Sequence, residues 1–252
     1  MIAWIDGSAG ASGDMLLGAL VGAGVPLEAL RDPIHDLAIG LTLTQRTVER
    51  GGLAATKVDV VTAAGEPADA TPADHGHHHR GLSEIVGMLD RLDAPIRDRA
   101  VSVFERLARA EAAVHGVTVE EIQFHEVGAL DAMADVVGVV AGFDHLVCER
   151  ALQRVVASTL SLGSGRTRSA HGPIPVPAPA VLALLAKVAP VTAGPAPFES
   201  TTPTGAALLA ELVDEWAELP AMRIGSVGLG AGGRDADELV NAVRLVLGTS
   251  AG

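Results

Sequence analysis

The chain opens with the stretch IAWIDGSAGASGDMLLGALVGA at residues 2–23, and this stretch decides the fold. Ile2 to Ile5 form a short apolar run, which a Gly-rich segment from Asp6 to Asp14 follows. An amphipathic pattern with helical spacing then extends from Met15 to about Ala23. The stretch therefore predicts a strand, a loop and a helix in immediate succession.

Helical and strand patterns alternate along the rest of the chain. We expect a β-hairpin around Gly51 and Gly52, with strands at Leu41 to Val48 and Leu53 to Val61. We further expect helices at Leu82 to Leu92, Pro95 to His115, Glu126 to Leu146, Ala180 to Val188 and Thr204 to Trp216, and strands at Arg154 to Leu162, Met222 to Leu229 and Asn241 to Leu247. This interleaving predicts an α/β (α+β mixed) layered fold with a mixed β-sheet flanked by helices. We predict one domain over residues 1–252, with a mobile loop at about 62–76, where large apolar residues are lacking.

Composition narrows the classes of protein. The single cysteine, Cys148, excludes an internal disulfide framework and favours a cytoplasmic location, with metal ligands drawn from His, Asp and Glu. The amino terminus lacks a secretory pattern, and the best apolar stretch, Val127 to Phe143, carries two carboxylates, so we expect no membrane partner. A formal net charge of −13 with 2% aromatic residues makes nucleic acid a poor partner. The acidity favours either the collection of cations or simple solubility.

Two histidine-containing segments are candidates for a divalent metal site. His77, His78 and His79 stand between the expected loop and the next helix, where imidazoles can reach a cation. His125 and Glu126 follow Phe124 at the start of another predicted helix. A metal shared between these two segments is one interpretation, and a solvated polar loop with incidental metal affinity is the other.

The helix that begins near Glu126 carries an unusual face. At 3.6 residues per turn, one narrow arc holds two carboxylates and three glycines: Gly128, Asp131, Asp135, Gly138 and Gly142. We expect another element to pack closely on this arc, because only small residues and paired charges tolerate such a contact. A partner such as Arg106, backbone donors of a neighbouring helix terminus, or a bound metal could satisfy the carboxylates.

Gly-rich turns and helix starts are candidate anion sites. Asp6, Gly10, Ser12, Gly13 and Asp14 lie between a strand and a helix, where backbone N–H groups can gather around a phosphate, although Ser12 or Asp14 could simply cap the helix. A second helix start carries Thr202, Thr204 and Gly205. The run Gly228 to Gly233 matches Gly-x-Gly-x-x-Gly without a following helix, so a turn or a close backbone approach to substrate is favoured over a dinucleotide site.

Together these segments resemble the nickel-insertion (LarC-like) protein family over nearly the whole chain. The resemblance rests on DGSAGASGDMLLGAL at residues 6–20, HHHR at 77–80, FHEVGALD at 124–131, HGPIPVPAPA at 171–180 and TPTGAALL at 202–209. It implies a nickel chelatase, a lyase-type cyclometallase, that inserts Ni²⁺ into pyridinium-3,5-bisthiocarboxylic acid mononucleotide. This reaction belongs to nickel-pincer cofactor biosynthesis for lactate racemase maturation. CTP, with Mn²⁺ or Mg²⁺, is the implied co-reactant.

We add a hypothesis for the roles of the candidate residues. His77, His78 and His79 capture Ni²⁺ and pass it to a deeper site with His125, Glu126 and Asp131, which also carry the catalysis. The substrate phosphate sits at the Gly10 to Gly13 turn or at the Thr202 to Gly205 helix start. We also expect a homo-oligomer.

Family members usually continue into a further carboxy-terminal module, whereas this sequence ends at Gly252. We expect either that a separate polypeptide supplies the module or that the chain is a shorter relative with only the nickel-binding part. Two other functions stay open: a non-catalytic nickel carrier or storage protein, and a metal-dependent nucleotide or phosphate hydrolase.

Overall fold

A seven-stranded mixed sheet forms the centre of the molecule, with strand order β2-β3-β10-β11-β1-β4-β9. The computed structural model describes residues 1–68, 80–124, 130–169, 172–235 and 239–251. Its strands are β1 Ile2–Asp6, β2 Leu41–Arg50, β3 Leu53–Thr62, β4 Arg154–Ala157, β5 Leu160–Ser161, β6 Arg166–Ser169, β7 Gly172–Pro175, β8 Val191–Thr192, β9 Glu215–Trp216, β10 Met222–Ala231 and β11 Ala242–Ser250. β5 pairs with β8 and β6 with β7 in two small separate sheets.

The first strand lies well inside the large sheet. β1 runs antiparallel to β11 on one side and parallel to β4 on the other. The predicted hairpin is confirmed, since β2 and β3 pair from Leu41–Thr62 to Arg50–Leu53. β3 pairs in parallel with β10 through Thr56 and Gly230.

Helices surround one main core. They are α1 Gly13–Gly22, α2 Leu27–Asp36, α3 Leu82–Leu89, α4 Ala94–His115, α5 Leu130–Arg150, α6 Pro179–Leu185 and α7 Pro203–Leu212, with a 3-10 turn at Val119–Glu121. A continuous apolar cluster runs from Ala3 in β1 to Leu247 in β11 and includes residues of all seven helices. The layered α/β architecture predicted from the sequence is therefore confirmed. Among the described residues, no helix is long and apolar enough to cross a membrane.

Three local predictions are wrong, each where tertiary contacts outweigh pattern. The helix predicted to reach Trp216 ends at Leu212, because Glu215 and Trp216 pair with β4 as a sheet edge. The single strand predicted from Arg154 to Leu162 is two strands that join different sheets. Helix α2 is absent from the prediction; it contains Pro33, and its apolar face is narrow, with only Leu30 and Ile34 fully buried.

Glycine contacts join α1 to the sheet. A side chain on Gly18 would overlap the Thr56 carbonyl, and one on Gly228 or Gly230 would overlap the α1 backbone. Gly228 and Gly230, in the Gly228 to Gly233 run, thus make a close backbone approach to α1. This seam fixes the position of the first turn of α1 over β3.

Candidate functional site

The predicted small-residue arc of α5 packs against α1. A side chain on Gly138 would lie 2.8 Å from the Cδ2 atom of Leu17, and one on Gly142 would lie 2.7 Å from Cδ1 of Leu20. Gly13, the first residue of α1, sits directly against the Asp135 carboxylate and has no room for a side chain. Close packing along this arc therefore brings the amino-terminal turns of two helices together.

A lysine from β3 enters the space between these helix starts. Lys57 Nζ lies 2.5 Å from Asp14 Oδ2 and 3.6 Å from Asp59 Oδ1, and only 7% of the lysine side chain is exposed. Asp14 also accepts hydrogen bonds from the Ser12 hydroxyl and from its neighbour Met15 N, at 2.8 Å for the latter. Ser12 occupies the N-cap position of α1, but its side chain is directed at Asp14 and not at the helix backbone.

Asp135 is the least satisfied carboxylate of the group. Its Oδ1 atom is buried and has no hydrogen-bond partner among the described residues. Burial raises the pKa of Asp135 well above the ordinary value, the charges of Asp14 and Asp131 raise it further, and Lys57 only partly opposes them. This carboxyl group therefore holds its proton more tightly than an aspartic acid side chain in water.

These side chains line an open cleft of about 370 Å³. Its charged residues are the four carboxylates Asp14, Asp59, Asp131 and Asp135 and the two cations Lys57 and Arg46. Arg46 is itself paired with Asp59, at 2.9 Å between Nε and Oδ2. Carboxylates outnumber cations, so the cleft attracts positively charged ligands.

Arg106, a candidate partner for the α5 carboxylates, is engaged elsewhere. Its Nε atom lies 2.8 Å from Glu211 Oε2 on α7. Asp131 and Asp135 therefore do not obtain their compensation from this arginine. Asp131 is only half-buried and lines the cleft.

The predicted histidine ligands lie outside the described residues. This holds for His77, His78, His79, His125 and Glu126, so Asp131 is the one predicted metal ligand whose position is described. Within the described ranges, no group of three His, Cys, Asp or Glu side chains is arranged to hold a metal ion. However, Arg80 and Phe124 form an antiparallel β-bridge, in which Phe124 N donates to Arg80 O at 3.1 Å. Arg80 directly follows His79 in sequence, and Phe124 directly precedes His125. The described ends of the two histidine segments are adjacent.

The two predicted phosphate sites are in contact with each other. Ala11 N donates to Thr201 Oγ1 at 3.2 Å, and Thr202 N donates to Ala11 O at 3.0 Å. Gly205 packs on the same loop, because a side chain there would overlap the Ala11 carbonyl. Gly10 N also donates within the loop, to Gly7 O at 2.9 Å.

These contacts favour one helix start over the other as an anion site. In the loop before α1, the N–H group of Gly10 donates within the loop and that of Ala11 donates to Thr201. The following turn carries the Asp14 carboxylate. Helix α7 has no acidic residue in its first turn, and its Thr202 side chain accepts from Gly205 N at 3.2 Å. The half-buried Thr204 completes that turn.

Asp6 ends β1 in a different environment. Its carboxylate accepts from Ser8 N at 3.1 Å and pairs with Arg244 of β11 at 2.5 Å. Burial acts to raise the pKa of Asp6, but the hydrogen bonds from Ser8 and the Arg244 guanidinium outweigh it and hold the pKa below its ordinary value. Asp6 is therefore an ionised acceptor at neutral pH.

Sequence reasoning missed Lys57 and Arg244. Period-two alternation places Lys57 among the polar residues of the hairpin and gives no sign that it is buried. Arg244 lies on the last strand of the sheet, and only strand pairing brings it to Asp6, 238 residues away in sequence. No pattern in the sequence could have joined these residues to the sites.

The fold and the cleft define an α/β protein whose acidic pocket, between two helix starts and a hairpin, is suited to a cation. Comparison with known proteins gives the family. A family model described as nickel insertion protein matches residues 3–252, and the chain belongs to this family.

Several relatives carry informative names. A pyridinium-3,5-bisthiocarboxylic acid mononucleotide nickel insertion protein of Nocardioides sp. is 48% identical over 99% of this chain and 60% of its own length. Proteins of the same name from Geobacillus kaustophilus and Thermotoga sp. are 39% and 41% identical, each over 98% of this chain and over 59% and 61% of their own lengths. The chain thus spans about 60% of the length of these relatives. No solved structure matches.

Proposed function

We propose that this chain receives Ni²⁺ in the cleft of Asp131 and Asp135 and takes part in its insertion into pyridinium-3,5-bisthiocarboxylic acid mononucleotide. The observation that carries the proposal is the α5 carboxylate pair, which faces Asp14 and Lys57 across an acidic cleft and leaves Asp135 Oδ1 without a partner among the described residues. The names of the relatives supply the metal and the acceptor nucleotide. Nickel is here the cargo of the reaction.

In this proposal, the two histidine segments serve one metal. His77, His78 and His79 capture Ni²⁺, and His125, Glu126 and Asp131 receive it. The pairing of Arg80 with Phe124 supports this arrangement, because it joins the described ends of the two segments. Imidazole favours Ni²⁺ over Mn²⁺ or Mg²⁺, so nickel entering through histidines would be selected before it meets the carboxylates.

Side chains of the cleft would then accept a proton and compensate charge during the insertion. Formation of a nickel–carbon bond would release a ring proton, and we assign its acceptance to a carboxylate of the cleft. Lys57 pairs with Asp14 and Asp59 and would compensate them before a metal arrives. The substrate phosphate would bind outside this acidic cleft.

The enzymatic part of the proposal includes consumption of CTP, with Mn²⁺ or Mg²⁺, during the insertion. The chain is incubated with Ni²⁺ and the bisthiocarboxylate mononucleotide, with and without CTP, and the metallated product is sought by mass spectrometry. We expect product from the wild-type chain and at least a tenfold loss in Asp131→Asn. Asp98→Asn, which changes an exposed carboxylate on α4, is the matched control and should keep full activity.

Other outcomes assign other functions. Tight nickel binding without product in either condition would replace insertion with nickel carriage. Release of phosphate from CTP by the chain alone, with no metallated product, would favour a nucleotide hydrolase. Unchanged nickel affinity after simultaneous substitution of His77, His78 and His79 by Ala would refute the capture step.

A further inference from the structure

The sheet has a second face, where a polar pocket of about 390 Å³ lies apart from the acidic cleft. Alternate residues of a strand point to opposite faces, and β1 obeys this rule. Ala3 and Ile5 belong to the main core, whereas Ile2 and Trp4 join Val156 and Val246 in a separate apolar cluster. Asp6 shares the parity of Trp4 and lies at the carboxyl end of its strand.

The pocket opens where two parallel strands end and their chains separate. After β1 the chain turns through Gly7 towards α1, and after β4 it turns through Ser158 and Thr159 towards β5. A crevice outside the carboxyl ends of parallel strands, at such a divergence, is where open α/β sheets bind ligands. The volume is within the range of pockets that hold small molecules.

Hydrogen bonds hold the floor of the pocket in place. Gly7 N donates to Ser158 Oγ at 2.9 Å, and Ser161 Oγ donates to Ser8 O at 2.7 Å. Ser161 N adds a bond to Gly7 O at 2.9 Å. Because these buried serines are bonded to backbone, the loops after both strands form one preorganised surface.

Arg244 is the cation of the pocket. Its guanidinium lies over the Trp4 ring, 5.8 Å from the centroid, and one terminal nitrogen pairs with Asp6. Half of the arginine side chain is exposed. Among the described residues, no acceptor contacts its Nε or Nη1 atom, so N–H donors remain for a ligand.

The remaining groups define the chemistry of a ligand. Exposed hydroxyls of Ser8, Thr159 and Thr192 can donate to or accept from it, and the carboxylates of Asp6 and Glu218 can accept from ligand hydroxyls. Arg244 is the one cation among the residues that line the pocket, and its remaining N–H donors fit a single phosphate group and not a polyphosphate. A carboxylate that receives ribose hydroxyls is a recurrent element of nucleotide recognition in α/β folds.

From this arrangement we infer that the pocket of Trp4, Asp6, Ser161, Thr192, Glu218 and Arg244 binds the ribose monophosphate part of a mononucleotide. Arg244 contacts the phosphate, and Asp6 with Glu218 contacts the ribose hydroxyls. Only the identity of the mononucleotide, the acceptor of nickel, rests on the proposed function. The inference assigns the phosphate to this pocket and not to the start of α7.

The test uses no metal, so its result is independent of nickel insertion. The purified chain is titrated by calorimetry with ribose 5-phosphate, and in parallel with ribose and with inorganic phosphate. We expect saturable one-to-one binding of ribose 5-phosphate, and at least tenfold weaker binding of each fragment. Nicotinic acid mononucleotide, a fourth probe, should bind at least as tightly as ribose 5-phosphate.

Arg154 provides a matched control for Arg244. It lies on β4 of the same sheet, is 43% exposed and pairs with Glu215 at 3.2 Å, but it stands at the opposite end of the strand from the pocket. Arg244→Gln should weaken binding of ribose 5-phosphate at least tenfold, and Arg154→Gln less than twofold. Arg244→Lys keeps the charge, loses the planar donor fork and should give an intermediate loss.

Melting curves establish that each variant is folded, and Glu218→Gln, in an exposed loop, replaces Arg244→Gln if the latter is not. Loss of ribose 5-phosphate affinity in Glu218→Gln, with inorganic phosphate affinity unchanged, supports the assignment of this carboxylate to the ribose.

Absence of saturable wild-type binding at millimolar ribose 5-phosphate refutes the inference. Equal losses in Arg244→Gln and Arg154→Gln refute it as well, and so does equal affinity for inorganic phosphate and ribose 5-phosphate. Retained binding in Asp131→Asn that has lost nickel insertion would separate the two sites.

Discussion

Asp135 dominates the electrostatics of the acidic cleft. It faces Asp14 on α1, Asp131 on its own helix and Lys57 on β3, and its Oδ1 atom is buried without a described partner. Because burial and the two neighbouring carboxylates raise its pKa, the folded protein retains this proton where the unfolded chain has lost it. Its contribution to stability is complete below the unfolded pKa of about 3.8 and is lost as pH rises towards the folded pKa.

Asp135→Asn should therefore stabilise the protein at high pH. The amide cannot ionise, so the variant escapes the cost of a buried carboxylate. We expect its melting temperature to match wild type near pH 4 and to exceed it by about 2–4 °C at pH 8. Melting curves across this range provide the measurement. Asp98→Asn should show no such trend, and parallel pH profiles for wild type and Asp135→Asn would contradict the assignment.

Lys57 is the structural counterpart of these carboxylates. Lys57→Met should leave Asp14 and Asp59 without their shared ammonium, and breaking a largely buried pair leaves uncompensated charge. We expect a loss of about 2 kcal/mol in the free energy of unfolding, measured with urea at neutral pH. Adding Asp14→Asn should recover part of the loss, because it removes one uncompensated charge.

An exposed pair serves as the control for Lys57. Arg97 and Asp98 lie 2.9 Å apart, with 35% and 67% of their side chains exposed. Arg97→Gln should change the free energy of unfolding by less than about 1 kcal/mol, because solvent screens such a pair. Similar losses of unfolding free energy in Lys57→Met and Arg97→Gln would show that burial does not increase the cost of breaking the Lys57 ion pairs.

At the scale of elements, the contact of α1 with the sheet depends on missing side chains. Gly18 and Gly22, one helical turn apart, lie against β3 and β10, and Gly228 and Gly230 meet them from β10. Backbone packs on backbone along this seam. The contact sets how far Asp14 reaches towards Lys57, so the geometry of the cleft depends on the seam.

Gly18→Ala should therefore be destabilising although alanine favours helices. Its methyl group would overlap the backbone of Thr56, which cannot move without disturbing β3. We expect a loss of about 1–3 kcal/mol in the free energy of unfolding. Gly87→Ala is the matched control, because Gly87 is exposed within α3 and a methyl group added there would meet no atom within 4 Å among the described residues.

The control substitution should instead gain up to about 1 kcal/mol, from helix propensity alone. Denaturant titration of both variants gives the comparison. A stabilising Gly18→Ala would mean that α1 can lift from the sheet. The shift of α1 should also disturb the geometry of the acidic cleft. We therefore expect weaker nickel binding in Gly18→Ala and unchanged nickel binding in Gly87→Ala.

At the scale of the whole molecule, one apolar cluster joins the two ends of the chain. It includes Ala3 of β1, Leu17 of α1, Phe143 of α5, Leu208 of α7 and Leu247 of β11. We expect the prediction of a single domain to hold as one cooperative unfolding transition. Far-ultraviolet circular dichroism and tryptophan fluorescence should give coincident urea curves, with Trp4 and Trp216 both in the large sheet. Separate midpoints for the two probes would indicate two folding units.

Some of the structure was determined by local pattern. The strand, loop and helix at residues 2–23, the hairpin around Gly51 and the small-residue face of α5 follow from periodicities that are properties of neighbouring residues. The shared face of Asp131 and Asp135 is predictable for the same reason. Resemblance of sequence segments, not spacing, named nickel.

Tertiary structure alone decided the partners of these groups. Lys57 reaches Asp14 across 43 residues, and Arg244 reaches Asp6 across 238, because β3 and β11 pair into a sheet around β1. The sequence suggests Arg106 as a partner for the carboxylates, yet α7 places Glu211 beside it. Local sequence sets the side chain and face of each residue, whereas strand order and helix packing, which depend on distant contacts, set which charges meet.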